Sequence, residues 1–128
     1  MDGFRRAPRR ACGHGSRELA PTGTLDQPAP RVERDIAYAE PRNERQLLDV
    51  YSPAEGKRLP VVLWVHGGGW MAGSKAGVDH KPAAFTARGF VFVAMNYRFV
   101  PQATMYGIVR DVAKSAGWVH RNIARYGG

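Results

Sequence analysis

The chain has 128 residues, 44% hydrophobic and 23% charged, enough for one soluble domain with a modest core and too short for two ordinary ones. No run approaches the ~20 apolar residues of a membrane span. The arginines at 5, 6, 9 and 10 are not followed by the apolar stretch of a secretory signal. Cys12 stands alone, so no internal disulfide can form, and a cytoplasmic setting without membrane attachment is expected. The net charge of +8 is spread out: residues 1–45 hold nine arginines against seven acids, and residues 46–128 hold ten Lys/Arg against four. No block of Lys/Arg interleaved with aromatics, helix-turn-helix, zinc finger or RNP-like pattern accompanies it, so no nucleic-acid partner is expected.

Residues 1–30 are rich in Arg, Pro, Gly and Ala with almost no apolar periodicity, and a disordered tail is expected there, ahead of a domain over 31–128. "RVERDIAYAE" at 31–40 alternates so that Val32, Ile36 and Tyr38 would share one face of a strand. "PRNER" reads as a turn, and "QLLDVYSP" as a second alternating strand stopped by Pro53. Together they predict an antiparallel hairpin at a sheet edge. "PVVLWVH" at 60–66 and "GFVFVAMNYR" at 89–98 are continuous apolar runs, each predicting a strand covered on both faces. "DHKPAAFTARG" between them predicts a short helix with Asp79 as a candidate cap, Pro82 in the first turn and Gly89 at the left-handed exit. Strand, helix, strand predicts a right-handed βαβ unit. In the last segment Met105, Val109, Val112, Ala116, Val119, Ile123 and Tyr126 recur at steps of three and four, one apolar helical stripe closed by Gly127. The fold class is therefore α/β, in the order β-β-β-α-β-α, an antiparallel edge hairpin joined to parallel strands.

The run "HGGGW" at 66–70 follows an apolar strand at what should be the carboxyl edge of the sheet, where such sheets bind ligands. Glycines there let backbone N–H groups approach a phosphate or an oxyanion without interference from Cβ atoms. Phosphate loops read G-x-G-x-x-G or G-x-x-x-x-G-K-[ST]. In "HGGGWMAGSKAG" the spacing misses both, with Lys75 following Ser74.

The oxyanion alternative is joined by a resemblance. "HGGGW", "LLDVYSP" at 47–53 and "NYRFVPQATMYGIVRDVAKSAGWV" at 96–119 resemble, in order and spacing, the N-terminal part of α/β-hydrolase esterases of the hormone-sensitive-lipase and carboxylesterase type. The resemblance covers roughly residues 32–128. It implies that the N–H groups of Gly68 and Gly69 form an oxyanion hole, that His66 and Gly67 support the loop, and that Trp70 lines the substrate pocket. His66 would order the loop and not act as base, and Asp111 would be a supporting residue and not a triad acid. The substrate would be a small-molecule carboxylic ester, with no cofactor and no metal.

Such chemistry needs a serine in G-x-S-x-G, followed by an acid and a histidine. Ser16, Ser52, Ser74 and Ser115 all lack that frame. His14, His66, His80 and His120 all precede the family's position for the base, and they lack metal-ligand spacing. The chain thus reads as an N-terminal fragment of a serine hydrolase, inactive alone. The alternative is a non-catalytic remnant or interaction module with half the hydrolase fold. In the family's sheet the strand at 60–66 has neighbours on both sides, so one apolar edge should lie open here. Marginal stability and aggregation of the isolated chain are expected.

Overall fold

The computed structural model describes residues 28–128; the expected tail lies almost wholly outside the described residues, as do Cys12, His14 and Ser16. Among these residues four strands form one sheet: β1 (Arg31–Ala37), β2 (Leu47–Ser52), β3 (Val61–Val65) and β4 (Val91–Met95), in the spatial order β1-β2-β4-β3. β1 pairs antiparallel with β2 and β2 antiparallel with β4, while β3 runs parallel to β4. Helix α1 (Lys81–Ala87) makes the β3-to-β4 crossover, and α2 (Met105–Asn122) follows β4 and passes into a 3-10 turn over Ile123–Tyr126. The predicted element order and edge hairpin are those observed.

The pleat separates two cores. On one face Leu48, Val50, Val91, Val93 and Met95 pack with Ile108 and Ile123 from the C-terminal helical segment. On the other, Tyr51, Phe92 and Ala94 pack with Val78 and, from α1, Phe85. The two faces follow from the period of two along each strand.

Three expectations change. Val32 does not share a face with Ile36 and Tyr38; it is 39% exposed. The β1–β2 register slips between Glu33 and Ile36, and Asp35 sits at φ 58°. A bulge adds one residue to one strand and so reverses the parity of everything beyond it. Asp79 does not cap α1. The N-cap position is His80, whose side chain makes no capping bond, whereas Pro82 in the first turn and Gly89 at φ 82° are as expected.

The third change concerns α2. Val112 and Val119 of the expected stripe pack on the core, as do Ile123 and Tyr126 beyond the helix. The residues that α2 buries, however, are Ile108, Asp111 and Ser115, and Met105 and Val109 are 45% and 60% exposed. The reason is polar. Arg98 forks onto Asp111 through Nε (2.9 Å) and a terminal nitrogen (2.8 Å), and Gln46 donates to the same carboxylate at 2.8 Å. These bonds fix the rotation of the helix about its axis. At its far end Gly127 adopts φ 94° and closes the turn.

Candidate functional site

β3 delivers its last residue to the carboxyl end of the sheet, and there the chain stops extending. His66 is buried (5% exposed), while Gly67, Gly68, Gly69 and Trp70 are exposed. Positive φ angles at Gly68 (131°), Gly69 (60°), Trp70 (66°) and Gly73 (94°) coil the loop back on itself. Two of the glycines are needed for space as well as conformation. A Cβ on Gly68 would lie 2.0 Å from the Ala72 carbonyl oxygen, and one on Gly73 would lie 2.4 Å from that of Gly67. Gly67 and Gly69 differ: a Cβ there would meet nothing within 4 Å.

The Gly68 carbonyl accepts from the N–H groups of Met71 (3.2 Å) and Ala72 (3.1 Å), which closes the turn. Among the described residues the N–H groups of Gly68 and Gly69 bond to no protein acceptor. Two successive exposed donors at the end of a parallel strand can serve an anionic oxygen.

The loop is fastened at both ends. His66 stacks on Tyr97 with ring centroids 4.3 Å apart, and the Tyr97 hydroxyl donates to the His66 carbonyl at 2.9 Å. His66 Nδ1 lies 2.7 Å from the Gly67 carbonyl oxygen. Burial holds the imidazole below its usual pKa; the Gly67 contact opposes this and the nearby Arg45 charge adds to it. A buried ring occupied in this way suits support rather than proton transfer.

At the loop's other end the Lys75 N–H donates to Asn96 Oδ1 at 2.8 Å, and Lys75 Nζ bridges Asp49 (2.7 Å) and Asp35 (2.8 Å). Burial disfavours the ammonium, but the two carboxylates outweigh it and raise its pKa. The bulge in β1 is part of this device, since it turns the Asp35 N–H onto Asp49 Oδ1 at 2.9 Å. Trp70 is 47% exposed at the loop's rim, its ring 5.9 Å from that of Tyr97.

The remaining candidates lie outside this cluster. Ser115 is fully buried and donates to the Val112 carbonyl at 2.8 Å, with the Met95 sulfur 2.9 Å away. Ser52 is buried in β2, and Ser74 accepts from the Ala76 N–H at 3.1 Å. Asp111 is fully buried between Arg98 and Gln46: burial pushes its carboxyl up, and the bonds it accepts more than reverse this, leaving it below the usual range. His80 and His120 are exposed. No helix among the described residues is long and apolar enough to cross a membrane.

Sequence reasoning missed Arg45, Asp49 and Tyr97. Asp49 did leave a signal, a lone charge at the centre of an otherwise apolar strand.

An antiparallel hairpin feeding a parallel βαβ unit, with a glycine loop at the carboxyl end of its first parallel strand, is the N-terminal portion of a carboxylesterase-type α/β-hydrolase. The BD-FAE family model matches residues 48–128, and the chain belongs to that family. It is 35% identical over 100 residues to isoprenylcysteine alpha-carbonyl methylesterase ICME of Arabidopsis thaliana, covering 77% of this chain and 23% of that protein. With esterase LipQ of Mycobacterium tuberculosis it shares 34% identity over 103 residues, covering 73% of this chain and 23% of LipQ. Among solved structures, the Pyrobaculum calidifontis esterase superposes with a TM-score of 0.67 at 32% identity, over 80% of this chain and 33% of that one. The chain thus spans about a quarter of the length of these curated relatives.

Proposed function

We propose that residues 66–70 form the oxyanion loop of a serine hydrolase acting on carboxylic esters, and that the attacking serine belongs to polypeptide beyond these 128 residues. In that reaction a serine oxygen adds to the ester carbonyl, whose oxygen takes up the negative charge. The tetrahedral species collapses, expelling the alcohol and leaving an acyl-enzyme that water then hydrolyses. The N–H groups of Gly68 and Gly69 would hold the charged oxygen, each contributing about 3 kcal/mol to the transition state because it is oriented before the charge develops. Trp70 would line the acyl or alcohol pocket. The observation that carries the reading is the pair of exposed amides left without a protein partner among the described residues. The esterases among the chain's relatives support the same reaction class.

None of the four serines lies in G-x-S-x-G, so the 128-residue chain is expected to be inert. That observation also supports a second reading, a non-catalytic remnant that keeps the first half of the fold. Reading the coding DNA past Gly128 separates the two: an in-frame strand, G-x-S-x-G and helix favours the hydrolase, and a stop codon favours the remnant.

Activity then tests the first reading. Purified 128-residue chain with a short-chain aryl ester should show neither burst nor turnover above buffer. A longer form carrying the elbow should turn over. Gly68→Ala in it, whose Cβ would lie 2.0 Å from the Ala72 carbonyl oxygen and so force the loop to shift, should misaim the amides and lower kcat roughly 10²–10³-fold. Turnover by the short chain that survives Ser115→Ala would sink the proposal, as would a Gly68→Ala enzyme with unchanged kcat.

A further inference from the structure

His66 carries more information than its burial. A carbonyl oxygen can only accept, so the 2.7 Å contact between Nδ1 and the Gly67 oxygen places a proton on Nδ1. The other ring nitrogen, Nε2, lies 3.3 Å from a terminal nitrogen of Arg45. A guanidinium can only donate, so Nε2 must present its lone pair. Both contacts are satisfied by one species, the neutral ring protonated at Nδ1. The opposite tautomer sets oxygen lone pairs against the Nδ1 lone pair at one end and two donors against each other at the other. The imidazolium adds a second positive charge against Arg45.

The same guanidinium is fastened elsewhere. Its Nε donates to the Tyr97 carbonyl at 3.1 Å, a terminal nitrogen donates to the Gly73 carbonyl at 3.3 Å, and its Cζ lies 3.9 Å from the centroid of the Phe99 ring. Its backbone is held too, because the Arg45 N–H donates to Asn43 Oδ1 at 2.8 Å in the 3-10 turn before β2. One side chain therefore ties the entry of the glycine loop (His66), its exit (Gly73) and the segment just after β4 (Tyr97). Besides Arg45, the titratable group facing the imidazole is Tyr97, stacked on its face. Trp64 and Phe99 complete its aromatic surroundings.

We propose that Arg45 is a positioning residue that locks His66 in the neutral Nδ1–H tautomer and so holds the loop from Gly67 to Gly73 in its observed shape. The value of that lock for ester hydrolysis rests on the oxyanion reading above; the tautomer itself does not.

The test is long-range ¹⁵N–¹H NMR of the histidine ring nitrogens in the full 128-residue chain, as a pH series, for the native protein, Arg45→Met and Arg42→Met. Arg42→Met removes an exposed positive charge from the same segment without touching His66. In the native chain at neutral pH, the His66 Nδ1 signal should be pyrrole-like and the Nε2 signal pyridine-like. Arg45→Met should mix the tautomers and raise the pH at which the ring protonates, and Arg42→Met should do neither. A native ring that is charged or protonated at Nε2 at neutral pH would overturn the proposal without any variant, even if Arg45→Met fails to fold. A folded Arg45→Met with native ring signals would overturn it as well. Failure of the oxyanion reading would leave every one of these signals unchanged and would show only in the kcat of Gly68→Ala in the longer form.

Discussion

Two strands of this sheet are near twins in sequence and differ in fate. Val61–Val65 and Val91–Met95 are five-residue apolar runs lying side by side in parallel register, from Val61 against Val91 to Val65 against Met95. Every residue of β4 is inaccessible to solvent, and every residue of β3 is only half-buried. Among the described residues β4 has a strand on each side, whereas β3 ends the sheet. Composition sets how much apolar surface a strand could bury, and the number of neighbours sets how much it does. Both runs are covered on both faces as expected, β4 completely and β3 only in part: Val61, Leu63 and Val65 pack on one core and Val62 and Trp64 on the other while staying half-buried.

The largest test of that contrast uses Phe92 and Trp64, aromatic residues on the same face of the two strands with ring centroids 6.3 Å apart. Phe92→Ala should cost about 4 kcal/mol in urea-unfolding stability, because it empties a fully enclosed site. Trp64→Ala removes a larger ring from the edge strand, yet should cost about 2 kcal/mol or less, since part of that surface already faces water. Equal losses would mean that edge position does not govern burial here.

Next in size is the link that seats α2 beyond the end of β4. Asp111→Ala leaves Gln46 and Arg98 without their shared acceptor, and breaking a buried ionic contact of this kind costs about 3 kcal/mol. An unchanged urea midpoint would show that apolar packing alone orients the helix.

That helix also marks the limit of what its residues disclose in advance. The strand order of elements, the hairpin, the crossover helix and the glycine loop are all visible as periodicity and punctuation. The inward face of α2 is visible only in part: Val112 and Val119 pack on the core as the stripe predicts, whereas a hydropathy pattern assigns the buried Asp111 and Ser115 to solvent. Their burial depends on Arg98 and Gln46, and Gln46 is 65 residues away in the chain. The bulge at Asp35 escapes for the same reason, since its partners Asp49 and Lys75 meet it only in the folded sheet. Within the site, His66 and the glycines announce themselves as a motif, whereas Arg45 acts across 21 positions and carries no local mark.

The open side of β3 yields a smaller effect. The Val91 N–H donates to the Pro60 carbonyl, so in an evenly spaced parallel ladder the backbone groups of Val61, Leu63 and Val65 point away from β4. An unpaired apolar edge is a template for a second chain. The isolated 128-residue chain should show concentration-dependent mass in sedimentation equilibrium. Val61→Lys should weaken that association roughly tenfold, about 1.4 kcal/mol. A sharp monomer at all concentrations, with a cooperative melt, would remove the edge from the account.

At the carboxyl end the contrast between the strands disappears, and the smallest prediction lies there. His66, one residue past β3, is almost as inaccessible as Tyr97, two residues past β4, because the two rings stack on each other. Burial lowers the His66 pKa below its usual 6.5, so between those two pH values the unfolded chain binds more protons than the folded one. The contribution of His66 to stability is therefore fully present above pH 6.5 and is lost progressively as pH falls through the depressed folded value. Asp111 behaves alike in a lower window. Its carboxyl is held below the usual 3.8, so its contribution persists through the histidine range and disappears only in stronger acid. Urea midpoints measured from pH 7.5 downward should thus fall in two separate steps, and His66→Gln should flatten the upper step alone. A native profile without that upper step would mean that the ring is as well solvated as it would be in the unfolded chain, and that the end of the edge strand is not enclosed after all.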